Sequence, residues 1–385
     1  MKEFLSKYFK GDGAIWAVVI ALSMISVLAV YSSTGTLAYK KMGGDTTYFL
    51  TKHASLLLFG LIIIFVTHHI PFRYYSRLSV IFLYLAIPLL GWTLIKGASL
   101  NEASRWMTLP GTGLTFQTSD FAKFVLVMFV ARFLSQNQDN IKDFKTGFRS
   151  IMIWILVICG LILPANFSTA AILFTTSLIL LFLGRVNMKY LLGLIGVGVA
   201  AIIIFVLVAM ALPDDSRGRI GTWKKRIENF SQGSEEGNYQ VEQAKIAIAN
   251  GGAIGLGPGK SIQRNFLPHP YSDFIYAIIV EEYGVAGGVV VLLLFLILLY
   301  RAGLIVRKSN SQFAAFLAIG LTFMLVFQAF INMAVAVNLM PVTGQTLPFV
   351  SMGGTSIIFT SAAIGVILST SRAAKTENVT ENGQQ

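Results

Sequence analysis

Ten apolar stretches, most of them about as long as a bilayer is thick, fix the fold class before any motif is read. A helix crossing the hydrocarbon core needs about 20 such residues, and lipid offers no partner for backbone polar groups, which selects helices. The stretches fall near 14–33, 52–70, 74–95, 119–136, 150–164, 167–184, 188–212, 273–300, 312–337 and 353–371. The fifth and sixth are short and share Pro164, which predicts a tight helical hairpin. The expected fold is an all-α polytopic membrane protein, a single integral domain over 1–385. A large extracytoplasmic loop, 213–272, separates spans seven and eight, and a polar tail, 373–385, reads as disordered. Only 12% of the residues are charged, against about a quarter in a soluble domain.

The start, MKEFLSKYFKGDG, leads into an apolar run with no small-residue cleavage site behind it, so that run is read as a spanning helix. Long loops cross regardless of charge; with 213–272 set aside, Lys and Arg concentrate on the side that holds both termini. Both termini are therefore expected in the cytoplasm. The same bias, with anionic headgroups and lipid-linked phosphates, accounts for the net charge of +12 without nucleic acid. The one cysteine, Cys159, lies in an apolar run, so no intrachain disulfide can form.

The outer loop is the expected working surface. RGRIGTWKKRIENF (217–230) mixes cations with Trp223, Ile227 and Phe230, suiting a helix lying in the interface. YQVEQAKIAIAN (239–250) has helical spacing. GLGPGKS (255–261) fails as a nucleotide loop, because Ile254 stands where the pattern needs glycine and no strand precedes it. Two readings stay open: a backbone anion nest with Lys260 and Arg264 adding charge, or a turn that needs glycine.

Several residues carry chemistry in an apolar setting. Asp273 follows Ser272 at an apparent helix start, where capping and function compete. Glu281 and Glu282 lie in an apolar run, as functional groups or as structural partners of another span. Lys123, three residues after Asp120, could snorkel, pair locally with Asp120 or hold a phosphate. Arg105-Trp106 suits an aromatic-belt anchor. LMPVTGQTLPFVSMGGTS (339–356), which contains Ser351, suits a re-entrant bend packed through small residues. His68-His69 read as interfacial packing rather than a metal site.

Together these segments resemble the SEDS family of bacterial cell-wall polymerases from the first span to the last. The stretches that carry the resemblance are SRWMTLPG…FQTSDFAK, YQVEQAKIAIANGGAIGLGPGKSIQRNFLPHPYSDFIYAIIVEEYG and NLMPVTGQTLPFVSMGGTS. NMAVAVNLMPVTGQTLPFVSMGGTSI is more like the division branch than the elongation branch. Three places depart from the family pattern: P-D-x-G-T reads Pro164-Ala165-Asn166-Phe167-Ser168-Thr169, the aromatic of S-Y-G-G is Met352, and P-S-E is Thr118-Ser119-Asp120.

The resemblance implies a peptidoglycan glycosyltransferase that polymerises lipid II, a disaccharide-pentapeptide on undecaprenyl pyrophosphate, into β-1,4 glycan with inversion. It maps the catalytic base onto Asp273 through Tyr271-Ser272-Asp273-Phe274. Arg105, Lys123, Lys260, Arg264, Glu281 and Ser351 form the implied substrate-binding set, with a divalent cation able to share the diphosphate's charge. The implied partners are a class B penicillin-binding protein transpeptidase, other divisome proteins and membrane lipids, at the septum of the bacterial inner membrane. An elongation polymerase, a lipid II flippase and a transpeptidase scaffold are the competing readings.

Overall fold

Asp12 opens the first helix, its carboxylate accepting from the amide of Ala14 and pairing with Arg301 far along the chain. In the computed structural model, residues 9–43, 45–96, 98–100, 103–108, 115–211 and 235–382 are described. Helices run α1 Gly13–Ser33, α2 Gly35–Met42, α3 Thr46–His69 and α4 Phe72–Lys96. After strands β1 Ala98–Leu100, β2 Ala103–Thr108 and β3 Thr115–Gln117 come α5 Thr118–Gln136, α6 Ser150–Ile162, α7 Phe167–Leu183 and α8 Met188–Ala211. The order closes with α9 Glu235–Gly251, α10 Ile275–Lys308, α11 Gln312–Ala336 and α12 Thr355–Asn382.

Each of the ten expected spans coincides with one of these helices, and seven of the described helices are long and apolar enough to cross a membrane. The fifth begins earlier than its apolar run, because a π-helical turn, Phe144–Arg149, leads into α6. Asp143 caps that turn through the amides of Lys145 and Thr146. The hairpin at Pro164 forms, with Asn166 capping α7 through the amide of Thr169 at 3.2 Å. Asn166 thus occupies the segment where the family pattern has a carboxylate, and an asparagine oxygen caps about as well.

Two expectations change. The loop after α4 folds into an antiparallel meander, β1-β2-β3, in which Trp106 faces Gln117 across the register. The tail is helical through Asn382, since α12 supplies a formed nucleus onto which Ala, Lys and Glu can propagate. The expected interfacial helix 217–230 lies outside the described residues.

α5, α11 and α12 form the interior, buried on nearly all sides. α3, α4 and α10 instead leave Leu58, Phe59, Ile62, Ile81, Tyr84, Val289 and Leu293 exposed, an apolar face suited to lipid. One close crossing joins α3 to α12. A Cβ on Gly60 would sit 2.6 Å from Ser361 Oγ, and one on Gly365 would overlap Thr67 Oγ1 and stand 2.9 Å from the Ile64 carbonyl. Gly365→Ala is therefore expected to lower the melting temperature in detergent, because overpacking costs about 1–3 kcal/mol against about 1 kcal/mol of helix propensity gained. Gly303→Ala, with open space around it, should cause no loss, and Thr67→Ala should recover part of the Gly365→Ala defect.

Candidate functional site

Residues 267–274 run in a series of bends and turns before α10 begins. Phe274, not Ser272 or Asp273, occupies the N-cap position of α10, and no side chain caps it. The capping explanation for Asp273 therefore does not hold. Its half-buried carboxylate accepts a 2.9 Å hydrogen bond from the Ser272 hydroxyl.

What holds Asp273 is its main chain. The carbonyls of Tyr271, Ser272 and Asp273 accept in succession from the Met352 amide at 2.9 Å, the Ser351 hydroxyl at 2.6 Å and the Asn332 amide nitrogen at 2.8 Å. Carbonyls turned away from water need such partners, and here all come from α11 and the segment after it. The Tyr271 phenol is pushed above its usual pKa, first by burial and then by the negative charge of Asp273. It stays a protonated donor beside the carboxylate.

A second tier lies one helical turn along α11. Asn332 also donates to Gln345 O at 2.7 Å, while Gln328, four residues earlier, donates to Thr346 O at 3.0 Å. Four residues rise about 6 Å along a helix, so two amide side chains on one face of α11 hold the consecutive carbonyls of Gln345 and Thr346. Gln345 reaches on to Thr169 Oγ1 at 3.0 Å, and Gln328 Oε1 accepts from Lys123 Nζ at 3.0 Å. Lys123 also pairs with Asp120 at 2.9 Å, both side chains being buried. Of the alternatives for Lys123, the local pair is the one formed. Ser351 is likewise internal, accepting from the Leu347 amide at 2.8 Å while it donates to Ser272.

Glu281 and Glu282 are fully enclosed, at 0% and 1% exposure, and hydroxyls and backbone amides hold them. Glu281 accepts from the Ser261 hydroxyl and from the amides of Ile262 at 3.1 Å and Gln263 at 3.2 Å. Glu282 accepts from the Ser32 hydroxyl and the Ser261 amide. The glycine-rich loop is thereby pinned to α10 where that helix breaks, at Gly284 with φ of 70°. Leu256 and Gly257 donate to the carbonyls of Glu281 and Glu282, and Val285 donates back to Gly252. A Cβ on Gly255, itself at φ of 92°, would overlap the Glu282 carbonyl. Close approach of two backbones is what these glycines permit.

The remaining cations sit nearer the surface. Lys260 is exposed. Arg264 donates to Ser32 O at 3.0 Å and Ser32 Oγ at 3.2 Å. With Tyr271, Ser33, Phe266 and Pro270 it lines a cavity of about 270 Å³. Arg105 belongs to β2, and its side chain lies outside the described residues. Among the described residues no three His, Cys, Asp or Glu side chains are grouped to hold a metal.

The structure thus joins Asp273 to Ser351 through the Ser272 carbonyl, and to Lys123 through Asn332, Gln345, Thr346 and Gln328. Glu281 belongs to a separate anchor. Sequence reasoning missed Gln328, Asn332 and Gln345. The signal available was two amide side chains four apart in an otherwise apolar span.

The sequence profile of the FtsW/RodA/SpoVE family, described as cell cycle protein, matches residues 13–376. The probable peptidoglycan glycosyltransferase FtsW of Trichlorobacter lovleyi is 32% identical over 385 residues, covering 97% of each chain. That of Escherichia coli is 31% identical over 362 residues, 93% of this chain and 85% of its own. A solved structure concerning structural coordination of polymerization and crosslinking by a peptidoglycan synthase complex superposes with a TM-score of 0.72 at 25% identity, over 94% of this chain and 98% of that one. The rod shape determining protein RodA of Thermus thermophilus shares the fold, with a TM-score of 0.68 at 22% identity over 94% and 97% of the two chains. This chain is a member of the FtsW/RodA/SpoVE, or SEDS, family and is FtsW-like within it.

Proposed function

We propose that the chain is a peptidoglycan glycosyltransferase that polymerises lipid II during cell division, with Asp273 as general base. The observation that carries this reading is a half-buried carboxylate, free of any capping duty, on three consecutive carbonyls that are each held in place. In the reaction, the acceptor sugar's 4-hydroxyl attacks the anomeric carbon of the growing chain. Asp273 takes the hydroxyl proton as the new C–O bond forms, and the bond to the lipid diphosphate breaks with inversion. Diphosphate leaves without protonation, so one carboxylate suffices where a glycosidase needs two. Cations receive the charge that develops on the leaving group.

Arg264 and Lys260 are the described cations best disposed for that task. Arg264 lines a cavity that shares Tyr271 with the Asp273 turn, and Lys260 is exposed on the same loop. Arg105, in the meander, is a third candidate. Lys123 and Ser351 act by holding the 345–352 segment, and Glu281 by holding the glycine-rich loop. A transporter would use Lys123, Glu281 and Glu282 to line a cavity for a charged headgroup; their burial and internal hydrogen bonds favour polymerisation instead.

In this reading the site faces outward at the membrane boundary, 213–272 is the extracytoplasmic loop, and both termini lie in the cytoplasm at the septum. The similar structure of a polymerising and crosslinking complex supports a class B penicillin-binding protein as partner. Purified protein with that partner, given lipid II in detergent, should yield a ladder of glycan polymer on a gel with no second compartment present. A flippase would give none there and would need sealed vesicles; that result would overturn the reading.

A further inference from the structure

One buried polar pair lies outside the surroundings of Asp273 and is not accounted for by helix packing. His53 on α3 and Ser26 on α1 are both 0% exposed. Ser26 Oγ lies 2.7 Å from His53 Nε2 and 2.7 Å from the main-chain oxygen of Val350. A carbonyl only accepts, so the single hydroxyl proton of Ser26 points at Val350. His53 Nε2 must then carry a proton and donate it to the serine oxygen, which fixes the tautomer from the network. His53 Nδ1 is buried with no hydrogen-bond partner among the described residues. The pair is therefore a directed chain, histidine to serine to backbone.

The peptide at its end is an unusual one. Phe349, immediately before Val350, is buried with φ of 64°, a region that bulky residues rarely enter. Such a conformation persists only where the surroundings over-determine it. Ser351, immediately after, is the residue whose hydroxyl holds the Ser272 carbonyl beside Asp273. Contacts thus run from α3 through α1 to the Val350–Ser351 peptide, and from there to the turn that bears the carboxylate.

We infer that His53 and Ser26 are positioning residues for Asp273, setting the Val350–Ser351 peptide and through it the Ser272–Asp273 main chain. The inference rests on Asp273 being the base. Geometry decides the size of the effect, since a displacement of about 1 Å at a reacting group can cost about 100-fold in rate.

The test compares Ser26→Ala, His53→Gln and His53→Asn in the full-length protein with its transpeptidase partner. Lipid II polymerisation gives turnover and half-saturating substrate, and a melting curve gives stability. Glutamine places its amide nitrogen near the position of His53 Nε2, whereas asparagine reaches only as far as Nδ1. Ser26→Ala and His53→Asn should lower turnover about 10- to 100-fold with half-saturation unchanged, and His53→Gln should restore most of it. The Ser26→Ala, His53→Asn double variant should be no worse than the poorer single one, because the two act in series.

Normal turnover in folded Ser26→Ala protein would overturn the inference, as would a loss confined to melting temperature or a glutamine no better than asparagine. Ser26→Ala removes a single oxygen, so the test stands even if the histidine variants do not fold. Asp273→Asn is run alongside. If it still polymerises at the normal rate, the assigned base is wrong and the positioning role falls with it. If it is inactive while Ser26→Ala is normal, only the positioning role falls.

Discussion

Asp273→Asn should reduce glycan polymerisation roughly 100- to 10,000-fold, the span expected for loss of a positioned general base, while leaving the protein folded. The substitution is close to isosteric, and an asparagine oxygen can still accept from the Ser272 hydroxyl as Asp273 does now. The carbonyl of residue 273 keeps its bond from Asn332, so the main chain has no reason to move. Loss of turnover with unchanged melting temperature and unchanged half-saturating lipid II would identify a group used in the transition state alone. Polymer at the wild-type rate would remove Asp273 from the mechanism.

The second large effect is on folding. Glu281→Ala should destabilise the protein by roughly 2–5 kcal/mol, because each buried donor left unpaired costs about 1–3 kcal/mol. The Ile262 and Gln263 amides and the Ser261 hydroxyl all converge on that carboxylate. Glu281→Gln should cost less, since it keeps one acceptor oxygen but turns an NH₂ toward an amide that also donates. Released from its anchor, the loop at 252–265 should become open to protease, and Arg264, whose amide bonds Ser261 Oγ at 3.2 Å, should lose its place in the cavity wall. Thermal unfolding and limited proteolysis in detergent check both. An unchanged melting point with an unchanged cleavage pattern would show that the carboxylate does not hold the loop.

The spans were legible because lipid imposes one strong rule, apolar side chains over a bilayer's length, and each expected run became a helix. Where the rule weakens, so did the reading. The π-helical turn at Phe144–Arg149 extends a span through polar residues. Two of the meander's three strands, β1 and β3, have three residues each, too few to show a period. Asp273 was legible as a motif, but its support was not. That support is made to the carbonyls of residues 271–273, 345 and 346, and every residue type presents the same carbonyl. Glu281 was legible only as two open readings for a related reason: a carboxylate in an apolar run names no partner, and those it has are a hydroxyl and backbone amides brought in by a loop some twenty residues away in sequence.

The seam between α3 and α12 bears on how a long isoprenoid could travel through this protein. Where Gly60 meets Ser361 and Gly365 meets Thr67, even one added methyl group has no room, and a hydrocarbon chain is at least as wide. That stretch is shut to a polyprenyl tail. A carrier whose sugar reaches Asp273 must thread its hydrocarbon between looser neighbours, leaving the α3–α12 pair as a fixed wall of whatever corridor the tail follows.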